Sequence, residues 1–262
     1  MPQHLHIFEA LEWIREDIAF GFLVGVSTLR KDAIFLFDRK PSCSATFIIR
    51  LEVRDNIIKL NSSLIVCIKE RGILSQQGKE GERTMLSLLS EHTGSEAYPV
   101  HRLDKEVGGV MVFAKNQKCA AALSAQVSDR TMEKEYITVI EGSPAEKEGT
   151  MEDLLFFDRS KNKAFTVKKE RRGVKKALLS YKLMAEGDGL SLVRVKLHTG
   201  RTHQIRVQLA SRKMPIVGDR RYGSSRESRI IALWSCYISF VHPVTGERMD
   251  FEKMPEEEIF KI

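Results

Sequence analysis

The chain has 262 residues and only four cysteines, at positions 43, 67, 119 and 236, with no C-x-x-C pair among them. That spacing suggests neither a zinc site nor a disulfide framework, and reduced, mostly buried thiols are the expectation. No run approaches the ~18 consecutive apolar residues that a transmembrane helix needs. The first residues carry no basic segment followed by an apolar one. No secretory signal is therefore visible, and a soluble, cytoplasmic protein is expected. Internal repeats and low-complexity tracts are missing too. No G-x-S-x-G elbow supports a Ser-His-Asp hydrolase, and no H-E-x-x-H or comparable cluster supports a metal site. On a helix, His198 and His203 would point about 140° away from each other. Five residues, not four, separate Gly72 from Gly78, and Glu80 stands where a phosphate-binding loop places Ser or Thr on magnesium.

What is present is a composition of 42% hydrophobic and 29% charged residues, which argues against a disordered chain. The formal charge is +7, from 42 basic and 35 acidic residues, and its placement says more than its sum. Residues 1–55 hold 7 basic and 8 acidic residues. Between Arg159 and Lys176 lie nine basic residues and one acid, Glu170, a local charge of +8. Such a stripe attracts a polyanion far better than the same charge dispersed, whereas a solvated loop is the plainer reading of a charge run. No apolar helix face accompanies the stripe, so a membrane role is not favoured.

The patterning divides the chain near Asp55 and Asn56. Phe8, Leu11, Ile14, Ile18 and Phe22 recur at helical spacing, and the apolar runs around Ile34–Phe37 and Phe47–Leu51 suggest a hairpin. From Ile57 onward, short strands and helices alternate. Leu64–Ile68, Gly109–Ala114, Tyr136–Ile140, Ser191–His198 and Ile230–Phe240 read as strands. Thr84 is placed to cap one helix, and Gln117–Val127 reads as another. The expected architecture is α+β, a mixed, largely antiparallel central sheet flanked by helices, over residues 56–262. Residues 1–55 form a small appendage.

Two islands hold groups suited to chemistry. In His101-Arg102-Leu103-Asp104-Lys105 a carboxylate is flanked by cations, which favours its ionised form, and Gly108-Gly109 follow. In Thr199-Gly200-Arg201-Thr202-His203-Gln204-Ile205-Arg206 a strand gives way to a helix that Thr199 or Thr202 would cap. Arg201 stands at the corner, able to pair bidentately with a carboxylate. Each island alone also fits an Asp–Arg pair that merely ties two elements together.

These blocks, with Lys115, Lys134-x-Tyr136, Pro215–Asp219 and Tyr222-Gly223, occur in the order of a known family. From about Ile57 to the C-terminus the chain closely resembles the RluA family of RNA pseudouridine synthases. The resemblance implies an isomerase that converts chosen uridines of structured RNA, ribosomal or transfer, to pseudouridine, with no cofactor and no metal. It implies Asp104 as nucleophile, Arg201 as its partner and Tyr136 as the ring packed on uracil. Arg102 would fill the space left by the flipped nucleotide. Lys168, Lys169, Arg171 and Arg172 of the basic stripe are the expected backbone contacts, and a monomer working away from membranes is expected. The chain departs from the family where Val107-Gly108 replace the usual Thr-Ser, which removes two hydroxyls and implies a looser loop. Lys69-Glu70 replace the usual Lys-Pro. Residues 1–55 vaguely resemble a degenerate RNA-binding domain, but their charge of −1 argues for a structural role. The rival reading is a non-catalytic RNA-binding or assembly factor with the same fold.

Overall fold

The computed structural model describes residues 56–262 except 79 and 80; the helix expected over residues 8–22 and the hairpin over 34–51 lie outside them. Two continuously apolar runs become strands buried at every position, β2 (Leu64–Lys69) and β4 (Gly108–Ala114). Strands covered on both faces read this way. β1 (Ile57–Leu60) hangs antiparallel on β2, and the short β3 (Tyr98–Pro99) pairs with the end of β4. The sheet continues through β10 (Leu233–Val241), β5 (Glu133–Glu141), β9 (Leu190–Leu197), β8 (Val174–Gly187), β6 (Glu148–Asp158) and β7 (Lys163–Val167). β11 (Arg248–Glu252) pairs with β10 beyond the stretch that β4 occupies. Among the described residues the one parallel pairing of named strands is β4 with β10, so the sheet is mixed and mostly antiparallel, as expected.

That parallel contact explains one glycine. Gly109 lies opposite Ser235 at φ +127°, and a Cβ built there would meet the Ser235 carbonyl oxygen at 2.2 Å. Only glycine tolerates both the conformation and the approach.

Three α-helices accompany the sheet among the described residues. α1 (Met85–Thr93) starts at Thr84, whose hydroxyl accepts from the Ser87 amide at 3.0 Å while the Ser87 hydroxyl accepts from the Thr84 amide at 3.2 Å. This reciprocal box closes two end donors. α2 (Gln117–Ser128) is capped by the Asn116 side chain and packs on β4 and β10. α3 (Gln204–Ala210) packs on β6 and β7. A small second core of Leu155, Ala164, Ala177, Val207 and Tyr222 seats it against the arm made by β6, β7 and β8. No helix among the described residues is long and apolar enough to cross a membrane.

Candidate active site

Asp104 sits in the loop from His101 to Val107 that leads into β4. Hydrogen bonds from outside and within fix its course. The Ser75 hydroxyl donates to the Leu103 carbonyl at 2.8 Å and accepts from the Leu103 amide at 2.9 Å. The Gly72 amide donates to the Lys105 carbonyl at 2.7 Å, and the Val107 amide to the Asp104 carbonyl at 3.0 Å. The buried Lys69 ammonium donates to the carbonyls of Ile73, Glu70 and Lys105 at 2.7, 2.9 and 3.1 Å. Burial pushes its pKa down to about 8 against the opposing pull of Glu106 and Asp104. Val107 and Gly108 stand where the resemblance expects two hydroxyls. Both of these residues are buried, and Ser75 and Lys69 do the holding. His101 serves the same scaffold: its Nε2 accepts from the Val112 amide at 3.1 Å, so the neutral ring carries its proton on Nδ1. Burial, then the Lys134 charge, push its pKa down to about 3.

The second island turns the corner from β9 into α3. Neither Thr199 nor Thr202 caps the helix. The N-cap is His203, which makes no side-chain cap and sits in the left-handed region at φ 55°. Gln204 braces the corner instead, because its Oε1 accepts from the Arg201 amide at 3.0 Å and from the Thr199 hydroxyl at 2.8 Å. The Thr199 hydroxyl in turn accepts from the Leu178 amide at 2.8 Å.

The corner also decides which arginine meets Asp104. It is Arg206, one turn inside α3, and not Arg201. Arg206 Nη1 donates to Asp104 Oδ2 at 3.0 Å, while Nε and Nη2 form a fork on Asp219 at 2.6 and 2.9 Å. Arg206 and Asp219 are 3% and 1% exposed, so this is an enclosed pair that aims its third contact at the loop. Burial works against the guanidinium charge, but the Asp219 fork and then Asp104 hold the pKa above its ordinary value. The expected Arg201 pairing is thereby corrected: Arg201 points the other way, its Nε donating to the Lys176 carbonyl at 2.9 Å. Asp104 Oδ1 takes no hydrogen bond among the described residues.

Around this pair stand aromatic rings. The Tyr222 ring lies 5.1 Å from the Arg206 guanidinium, and its hydroxyl accepts from the Ala164 amide at 2.8 Å. The same hydroxyl lies 2.9 Å from His203 Nδ1, which brings His203 Nε2 to 3.6 Å from Asp104 Oδ2. Phe157 meets the imidazole edge-on at 5.7 Å. Burial holds the His203 pKa below its ordinary value, although Asp104 pulls it upward. Tyr136 is buried on β5 opposite Ser235, which on its other side faces Gly109 just past the Asp104 loop, and its phenol pKa is raised by burial first and then by the Asp104 charge.

Arg102 is exposed beside Asp104 and makes no hydrogen bond or ion pair among the described residues. Lys168, Lys169, Arg171 and Arg172 are exposed on the turn between β7 and β8, at the sheet's far edge, with Arg171 4.8 Å over the Phe156 ring. The structure thus brings Asp104 and Tyr136 together with Arg206, and sets the stripe apart on the arm. A cleft of about 910 Å³ adjoins Arg206 and Asp219 and is lined further by Arg71, Arg220, Arg221 and Arg229. Arg206 and Asp219 stand inside motif blocks readable in the sequence, but block membership does not reveal which cation faces Asp104. His203 stands in the same block as Arg206, but nothing in its spacing shows that it faces Asp104.

The fold is that of the pseudouridylate synthases. The chain matches human RNA pseudouridylate synthase domain containing 4 with a TM-score of 0.66 at 20% identity, over 82% of this chain and 93% of that one. For human RNA pseudouridylate synthase domain containing 1 the TM-score is 0.64 at 21% identity, over 76% and 83%. Sequence similarity takes this from fold to family: the chain belongs to the RNA pseudouridylate synthase family, whose model matches residues 63–211. It is 33% identical to the uncharacterized RNA pseudouridine synthase YhcT of Bacillus subtilis (strain 168), over 82% of this chain and 73% of that protein. It is 36% identical to ribosomal large subunit pseudouridine synthase D of Borreliella burgdorferi, over 64% of this chain and 54% of that one. The chain thus spans nearly three quarters of the first relative and little more than half of the second.

Proposed function

We propose that the chain isomerises selected uridines to pseudouridine in structured RNA, ribosomal or transfer, with residues 56–262 as the catalytic domain and Asp104 as the nucleophile. The observation that carries this reading is the Asp219–Arg206–Asp104 chain: a buried guanidinium, fixed by a fork on one carboxylate, orients a second carboxylate whose Oδ1 is left for the substrate. A nucleophile held in one rotamer by such a pair is prepared for attack.

The reaction breaks the bond from uracil N1 to ribose C1′ and makes one from C5 to C1′. The C5 proton is lost and N1 gains one, so no atom enters or leaves overall. A stacked uridine must first be flipped out, and unstacking costs a few kcal/mol. Tyr136 supplies the ring against which the base packs, and the exposed Arg102 plane takes its place in the stack. Arg201, freed from the expected pairing, faces the arm and serves the RNA backbone.

The test is to incubate the protein with ribosomal RNA and transfer RNA and to map pseudouridines by carbodiimide-dependent primer extension. Wild type is expected to form them and Asp104→Asn to form none. Equal signals from the two proteins on all these RNAs would sink the enzymatic reading.

A further inference from the structure

We propose that Lys134 is the innermost phosphate contact of the RNA path, its ammonium binding the phosphodiester beside the nucleotide that enters the site. This rests on the functional reading above.

The argument starts from the strand. Side chains alternate along β5, so Lys134 and Tyr136 share one face while Glu133 and Glu135 share the other. Both acids of that strand segment are engaged on their own face. Glu133 pairs with Lys196 at 2.6 Å and Arg248 at 2.9 Å, and Glu135 pairs with Arg194 at 2.6 Å. Lys134 is left half-buried with no hydrogen bond and no ion pair among the described residues. Its pKa is lowered by burial, with no acid offsetting the loss of water. A cation so placed is costly unless an anion joins it, and nothing in the described chain is that anion.

The surroundings say where the anion comes from. Lys134 Nζ lies beside Gly200, where a Cβ would stand 3.7 Å from it. The next residue is Arg201, hydrogen-bonded to the Lys176 carbonyl at the base of the basic arm. Cations are therefore met at the turn with Lys168 and Arg171, at Arg201 where it is held on the Lys176 carbonyl, and at Lys134 on the face of Tyr136. An RNA backbone following that line reaches Lys134 last.

The experiment compares wild type, Lys134→Met and Lys134→Arg for binding to the RNA that wild type modifies, across a salt series, with thermal unfolding run alongside. Loss of one phosphate contact is expected to weaken Lys134→Met about tenfold at low salt and to reduce the slope of log affinity against log salt by about 0.7–0.9. Lys134→Arg should restore the slope. A purely structural lysine would change the unfolding temperature and leave the slope alone. A folded Lys134→Met protein with the wild-type slope and affinity overturns the inference while leaving the synthase reading intact. If wild type modifies no RNA, the synthase reading fails and takes the inference with it.

Discussion

At the scale of single residues, the site turns on which of two arginines reaches Asp104. Arg201 and Arg206 sit five positions apart in one motif, and either guanidinium satisfies the chemistry of pairing with a carboxylate. The choice depends on a backbone feature that residue spacing does not carry. His203 enters the left-handed region, α3 starts after it, and Arg206 is turned inward between Asp219 and Asp104. Asp104 was legible because its neighbours are distinctive, whereas its partner was not. Asp219 is the member whose removal is most informative. Asp219→Ala leaves a buried guanidinium with one carboxylate and two vacant donors. The expected cost is about 3–5 kcal/mol of stability, as for breaking other buried pairs. Activity should fall as well, since Arg206 loses the fork that aims it. Denaturant unfolding and single-turnover pseudouridine formation on the same preparation check both effects. Wild-type stability in the variant would mean the fork does not organise the site.

At the scale of elements, the strands that sequence patterning found are those with unbroken apolar runs or strict alternation. β2, β4, β5, β9 and β10 all fall within a few residues of the expected spans. β6, β7 and β8 are not among the expected strands because charged and polar residues break up their apolar positions, and they are strands through pairing with one another and with β9. Tertiary context overrides local preference most easily in such half-exposed strands. Burial of β4 against β10 makes the contrary case, where one residue type is dictated outright. Gly109→Ala forces a Cβ into the Ser235 carbonyl at a φ that alanine avoids. The parallel ladder has to open at the point where β4 leaves the Asp104 loop. A loss of about 3 kcal/mol or more is expected, comparable to other special-backbone sites. Chemical denaturation measures it, and a variant within about 0.5 kcal/mol of wild type would show that the ladder adapts.

At the scale of the whole molecule, the charge of +7 becomes a spatial statement. The segment from Arg159 to Lys176 is an arm of β7 and β8, tied back to the site by the Tyr222 hydroxyl on the Ala164 amide and by Arg201 on the Lys176 carbonyl. Its turn, with Lys168, Lys169, Arg171 and Arg172, takes no part in the main core, so its charge is available to a polyanion at little cost to folding. Replacing all four by Gln should therefore leave the unfolding temperature nearly unchanged. If each contacts one phosphate, the salt slope of RNA binding should drop by about 3 units, at 0.7–0.9 per contact. The rate of the chemical step at saturating RNA should persist, because Asp104, Arg206 and Tyr136 are untouched. A quadruple variant with an unaltered slope would make the arm a solvated bystander, and the RNA path would then have to be sought along the arginine-lined cleft beside Asp219.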